Sequence, residues 1–216
     1  MAGYAAVKLG YTKLGFLGGM PVPAVVRYGY GFIQGADAAA KAMNINIKIN
    51  YVYGGQFFGD ADITAKMDTW YQGDTEIVFA CGGGIYKSAA EAAKKAGKKV
   101  IGVDVDQKAI IDGAYGAGMT VTSAMKGLAP TTKDTLTDIV LNGNWSKYAG
   151  KISTIPQSTT FRSRWNPHSG QRASSHRTIT RLSLRLCLTA QSRYPTPAIQ
   201  IICPKQQIRQ SAIRIE

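Results

Sequence analysis

Residues 76–107 read EIVFACGGGIYKSAAEAAKKAGKKVIGVDVDQ. An apolar run over 76–81 is broken by Gly82-Gly83-Gly84, and a segment of helix-forming composition follows over 87–96, with Gly97 as its stop. A second apolar run occupies 99–105. Short runs rich in Val, Ile and Phe and bounded by glycine read as buried strands, and the Ala/Lys/Glu stretch between them reads as a helix. A strand, a helix and a strand in this order predict two parallel strands joined by a right-handed crossover.

The same alternation extends both ways. KLGFLG at 13–18 is a buried strand closed by glycines. Pro23 suits the first turn of a helix, along which Val25, Val26, Phe32, Ile33, Ala36, Ala40 and Met43 recur at helical spacing. NIKINYVY at 46–53 alternates with period two and is a strand. Asp60 or Asp62 can cap a helix running to about residue 71. Downstream, a short helix at 108–111, a strand at 119–123 and an amphipathic helix at 133–141, ended by Asn142-Gly143, complete the pattern. The fold class is therefore α/β, a mostly parallel sheet flanked by helices. Every strand's carboxyl end falls on one edge, where such sheets bind ligands. That edge gathers Gly18-Gly19, residues 54–58, 82–84, 104–107 and 123–126.

Charge divides the chain of 216 residues in two. Residues 1–150 carry 15 Lys and Arg against 12 Asp and Glu, whereas residues 151–216 carry 11 against 1. Base usage switches at the same place, from 14 Lys and Arg27 alone to 9 Arg and 2 Lys. No uncharged apolar run reaches the roughly 18 residues of a membrane-spanning helix. Residues 1–20 lack the pattern of a secretory signal. Cys81, Cys187 and Cys203 have neither disulfide-framework nor zinc spacing.

Four features at the edge can carry chemistry. Residues 82–88 resemble phosphate loops but fail at one essential position. Tyr86 stands where a Walker loop needs glycine before Lys-Ser, and Lys87 replaces the third glycine of the dinucleotide pattern. Asp104 and Asp106 end a strand; Asp106 is better placed as a cap for the following helix, which leaves Asp104 for a ligand such as a ribose. Phe57 and Phe58 lie in a glycine-flanked loop, where rings cover either core or a flat ligand. Lys126, after the last strand, can reach a ligand hydroxyl or Asp104. His168 and His176 fall in the basic segment, and the ordered half holds no Ser-His-Asp, Cys-His or HExxH arrangement. Catalysis is unsupported, and no metal or cofactor site is expected.

KLGFLGGM at 13–20, Pro23 with YGFIQG at 30–35, YGGQF at 53–57, ACGGG at 80–84, VIGVDVDQ at 100–107, TSAMK at 122–126 and NGNWSKYAG at 142–150 occur in this order. In them the chain resembles, over roughly residues 1–155, the basic membrane protein family, the purine-nucleoside-binding substrate-binding lipoproteins of ABC transporters. The resemblance implies the second lobe of a type I periplasmic-binding-protein fold and a non-catalytic role. It puts base stacking on Phe57, a glycine contact on Gly82, a ribose carboxylate on Asp104 and a ribose-contacting ammonium on Lys126. Phe58 and Gly59 depart from the family spacing after the aromatic. The implied partners are a purine nucleoside and, in the intact relative, an ABC permease. That relative is extracytoplasmic and lipid-anchored; its signal, its lipid-bearing cysteine and most of its first lobe are expected ahead of residue 1. On this reading residues 1–12 end a crossover helix, 13–125 form the ligand-binding lobe, 126–157 lead toward the other lobe, and 158–216 are a basic tail, disordered or read out of frame. Two rivals use other residues: a dinucleotide-binding enzyme fragment through Gly82, Gly84 and Asp104, and a nucleic-acid module through the arginines at 161–193.

Overall fold

Strands buried on both faces need continuous apolar runs, and the runs in this sequence become five parallel strands. In the computed structural model, which describes residues 1–151 and the backbone of Ile199–Ile202, these are β1 (Lys13–Gly18), β2 (Ile47–Tyr53), β3 (Ile77–Cys81), β4 (Lys99–Asp104) and β5 (Thr120–Met125). Ile199–Ile202 add a sixth strand, β6, parallel to β2 along the edge, an element not expected from the sequence. The order β5-β4-β3-β1-β2-β6 puts β1 at the centre. The chain builds outward from β1 to β2, crosses back, and then builds to β3, β4 and β5 on the other side.

Helices α1 (Ala2–Lys8) and α2 (Pro23–Met43) cover one face, and α3 (Ala61–Gln72), α4 (Tyr86–Ala96) and α5 (Lys108–Tyr115) cover the other. The period-two alternation assigns the side chains. Leu14, Phe16, Ile49, Ile77, Phe79, Ile101 and Val103 face the first pair of helices, packed with Tyr4, Val7, Phe32 and Ala36. Leu17, Val78, Ala80 and Val100 face the second set, packed with Met67, Trp70, Ala89, Ala93 and Ile111. Burying each large side chain contributes about 1.5–3 kcal/mol, and Phe16, Phe79 and Met67 are at most 1% exposed. On α2 the buried stripe is Val25, Gly29, Phe32, Ala36, Ala39 and Ala40, so Met43, expected on that stripe, lies outside it at the surface.

The expected ends hold with small shifts. Asp60, not Asp62, caps α3: its Oδ1 accepts from Ile63 N–H at 2.8 Å. Gly97 closes α4 in the left-handed region at φ 64°. Helix α5 runs to Tyr115, four residues beyond the expected end, through Gly113. Helix α6 (Leu128–Leu136) starts five residues before the expected position, because Pro130 stands in its first turn, where the missing N–H has no partner to lose. A π-helical turn at Thr137–Leu141 and a 3₁₀ turn at Trp145–Lys147 follow. Asp138 gathers this segment, accepting from Asn144, Lys147 Nζ and Tyr148 Oη at 2.6–2.7 Å.

Among the described residues no helix is long and apolar enough to cross a membrane. Cys187, Cys203, His168, His176 and the arginines at 161–193 lie outside the described residues. So do residues 158–216 as a whole, apart from the backbone of β6.

Candidate functional site

Because β1 and β3 are neighbours whose following segments leave in opposite directions, the carboxyl ends of these two strands flank the topological switch point, the place where open parallel sheets take ligands. Gly18 pairs with Tyr53 on one side and Cys81 on the other. Beyond them Gly19 N–H donates to the Cys81 carbonyl at 2.8 Å, and Gly54 N–H donates to the Gly18 carbonyl at 2.8 Å. The three loops after β1, β2 and β3 are thus laced together.

Phe57 sits on this lacing, half-buried. A Cβ placed on Gly19 would lie 2.4 Å from Phe57 Cδ1, and one on Gly82 would lie 3.0 Å from the same atom and 3.1 Å from Gly19 Cα. Only a backbone without side chains admits the ring. Gly82 and Gly83 also take φ of 155° and 49°, conformations that disfavour any other residue. Gly84 N–H donates to the Phe57 carbonyl at 2.8 Å. The triple glycine is therefore spent on seating the Phe57 loop. That use runs against a dinucleotide phosphate site, and the Lys87 position is exposed on α4. The loop is fixed from behind: Gln56 Nε2 donates to Asp60, and buried Ser88 Oγ accepts from Asp60 N–H and donates to the Asp60 carbonyl, both at 3.0 Å. Phe58 points away and is 61% exposed.

Asp104 and Lys126 stand at the ends of adjacent strands. Asp104 pairs with Met125 in the β4–β5 register, and Lys126 N–H donates to the Asp104 carbonyl at 2.8 Å. Both side chains are exposed, and neither makes an ion pair with another described residue. Asp104 holds φ at 66°, unusual for a residue with a side chain. The N-cap of α5 is Gln107, not the expected Asp106; Asp106 stands one residue earlier, its Oδ1 accepting from Lys108 N–H at 3.2 Å.

Two side chains not singled out from the sequence join this corner. Tyr28, on α2, packs its ring edge-on to Phe79 with centroids 6.2 Å apart. Burial first, then the negative charge of Asp104, push its hydroxyl up to about 12. Burial likewise pushes the Cys81 thiol up to about 12, with Asp104 adding to it. Both stay protonated at neutral pH, so they present dipoles beside the Asp104 charge. The helical spacing of Val25, Val26, Phe32, Ile33 and Ala36 was visible in the sequence; that Tyr28, on the same helix, reaches the carboxyl edge needed the topology.

The four candidates thus fall on one contiguous edge as two pairs, Phe57 with Gly82 over β1 and β3, and Asp104 with Lys126 over β4 and β5. What separates them is the β3–β4 boundary alone, since those strands are neighbours.

The sequence of this chain is similar to those of known proteins named for binding or membrane association. The "ABC transporter nucleoside-binding protein BmpA" of Lactococcus lactis subsp. cremoris is 32% identical over 117 residues, covering 50% of this chain and 32% of that protein. "Basic membrane protein D" of Borreliella burgdorferi is 35% identical over 157 residues, covering 69% of this chain and 43% of that protein. The chain therefore spans well under half the length of these curated relatives. Among solved structures, a solute-binding protein of an ABC transporter system from Aeropyrum pernix K1 superposes with a TM-score of 0.49 at 18% identity, covering 60% of this chain and 35% of the other. The sequence model of the family described as "ABC transporter substrate-binding protein PnrA-like" matches residues 1–152, the stretch that carries the sheet and its edge, and the chain belongs to that family, Bmp.

Proposed function

We propose that this chain supplies one wall of a purine-nucleoside site in the substrate-binding component of an ABC-type uptake system. The observation that carries the reading is the juxtaposition of Asp104 and Lys126 on adjacent strand ends, joined through the backbone at 2.8 Å, with both charged groups unspent by the fold. A carboxylate accepts from two vicinal ribose hydroxyls, and an ammonium donates to a hydroxyl oxygen. Phe57, seated on Gly19 and Gly82, offers the rest of its ring to a base; stacking of this kind adds about 0.5–1.5 kcal/mol beyond area burial. The family is one of substrate-binding proteins, so the role is capture and presentation to a permease, without a chemical step. In such systems two lobes close over the ligand, and residues 126–157 are the segment that leads from this lobe toward the other. An extracytoplasmic, lipid-anchored setting follows from the same reading.

The described edge is open, and a ligand held from one side loses contacts at tenfold in affinity per 1.4 kcal/mol. Calorimetric titration of this chain with inosine and guanosine is expected to show dissociation constants weaker than about 100 μM. Submicromolar affinity would contradict the one-wall account, and heats at millimolar nucleoside identical to those of nucleoside-free buffer would contradict the ligand class.

A further inference from the structure

The loop that carries Asp104 is built around a second residue. We propose that Gln107, admitted by Gly102, is the positioning residue that holds Asp104 in its strained conformation and so aims its carboxylate off the edge; the ligand it grips rests on the nucleoside reading above.

Pairing between β3 and β4 stops at Phe79–Ile101, so the Val103 N–H, two residues farther on, has no strand carbonyl opposite it. Gln107 supplies the acceptor: its side-chain Oε1 takes the Val103 N–H at 2.9 Å in the interior, and Gln107 is 7% exposed. On the other side of the same residue, Val103 O accepts from Val105 N–H at 2.8 Å. A hydrogen bond from residue i+2 back to i, with the central residue at φ 66°, is a γ-turn of the positive-φ kind, the rare and strained one. Asp104 is that central residue. Such conformations persist only where the surroundings over-determine them, and here they do. Lys126 N–H fixes the Asp104 carbonyl at 2.8 Å, Gln107 N–H donates to Ser123 Oγ on β5 at 3.0 Å, and the Gln107 amide clamps the residue before the turn. The fit around the clamp requires Gly102. A Cβ there would lie 2.9 Å from Gln107 Oε1, 3.0 Å from Gln107 Cβ and 2.7 Å from Ser123 Oγ. The spacing Gly102-x-Asp104-x-Asp106-Gln107 is thereby one device: the glycine makes room for the glutamine, and the glutamine holds the aspartate.

The test compares the full chain with Gln107→Ala, which removes the acceptor, and Gln107→Glu, which keeps an acceptor oxygen in its place. The conformational arm reads Asp104 by NMR through the intraresidue HN–Hα cross-peak, which is strong only at positive φ, and reads Val103 by amide hydrogen exchange. Wild type and Gln107→Glu are expected to show the strong cross-peak and a protected Val103 amide; Gln107→Ala is expected to lose both while the amides of β1 and β3 stay protected. The binding arm titrates inosine and follows the Lys126 amide, where Gln107→Ala is expected to weaken the response roughly tenfold, the loss typical when a buried hydrogen-bond partner is deleted, and Gln107→Glu to recover it. An Asp104 that keeps its positive φ in Gln107→Ala overturns the inference. Absence of any inosine response in wild type, with the conformational arm as expected, overturns the nucleoside reading and leaves the positioning role standing. Loss of β1 and β3 protection in Gln107→Ala moves the decision to Gly102→Ala, which must shift Asp104 in the same sense or the device is refuted.

Discussion

At the scale of single residues, the structure separates side chains that hold the fold from those that remain available to a ligand. Asp104 has an unusual backbone and a carboxylate with no ion-pair partner among the described residues, so stability and binding should part company there. Asp104→Gly removes the side chain at a positive φ, where glycine is at no disadvantage. Its denaturation midpoint is expected to be no lower than wild type, while its response to inosine disappears. A stability loss above about 1 kcal/mol would mark the carboxylate as structural. Gly19→Ala should do the reverse of this. The added methyl meets the Phe57 ring at 2.4 Å, and forcing that ring off its seat is expected to cost about 1–3 kcal/mol in urea unfolding. A neutral Gly19→Ala would show that Phe57 is loosely held. Asp104, Lys126, Phe57 and Gly82 could be placed on the carboxyl edge from the sequence, because each lies at or just after the end of a segment legible as a strand. The γ-turn and its Gln107 clamp could not, since a glutamine at the start of a helix carries no signal until the β3–β4 pairing is seen to stop short.

At the scale of elements, strand and helix positions were readable because glycine-bounded apolar runs, one period-two run at 46–53 and segments of helical spacing or composition follow one another over 13–125. The differences lie at helix ends: α5, expected over 108–111, continues through Gly113 to Tyr115, and α6, expected from 133, starts at Leu128 with Pro130 in its first turn. The link between α5 and β5 offers a test by pH. Burial alone would raise the Asp112 carboxyl, but hydrogen bonds from Lys108 Nζ at 2.6 Å, Thr120 N–H at 2.8 Å and Gly118 N–H at 2.9 Å outweigh it and hold the group down to about 2. A carboxyl depressed in the folded state stabilises above its unfolded pKa and loses that contribution as pH falls through the folded one. Unfolding free energy is therefore expected to drop by about 2 kcal/mol between about pH 4 and pH 2 on account of this residue. Asp112→Asn should flatten that part of the profile; an unchanged slope would mean that other carboxyls dominate acid unfolding.

At the scale of the whole molecule, the lobe buries two apolar layers, and among the described residues large apolar side chains stay exposed after the last of its five main strands. Leu136, Val140 and Leu141, on α6 and the π-helical turn, are 55%, 69% and 77% exposed, and Leu128 and Trp145 are exposed as well. Large apolar side chains exposed together on one short segment favour association. Sedimentation velocity is expected to show self-association that rises with concentration and falls when Leu136, Val140 and Leu141 are changed to serine; a monomer at every concentration would contradict it. The basic stretch at 161–193 invites a separate control. Affinity for duplex DNA that drops steeply with salt and survives Asp104→Asn would assign that stretch its own activity. The central claim, that Asp104 and Lys126 together grip a ribose, is tested most directly by titrating inosine and 2′,3′-dideoxyinosine, side by side, into wild type, Asp104→Asn and Lys126→Ala. The account predicts that wild type prefers inosine and that each substitution abolishes the preference. Equal binding of the two nucleosides by wild type, or an undiminished preference in Asp104→Asn, would contradict it.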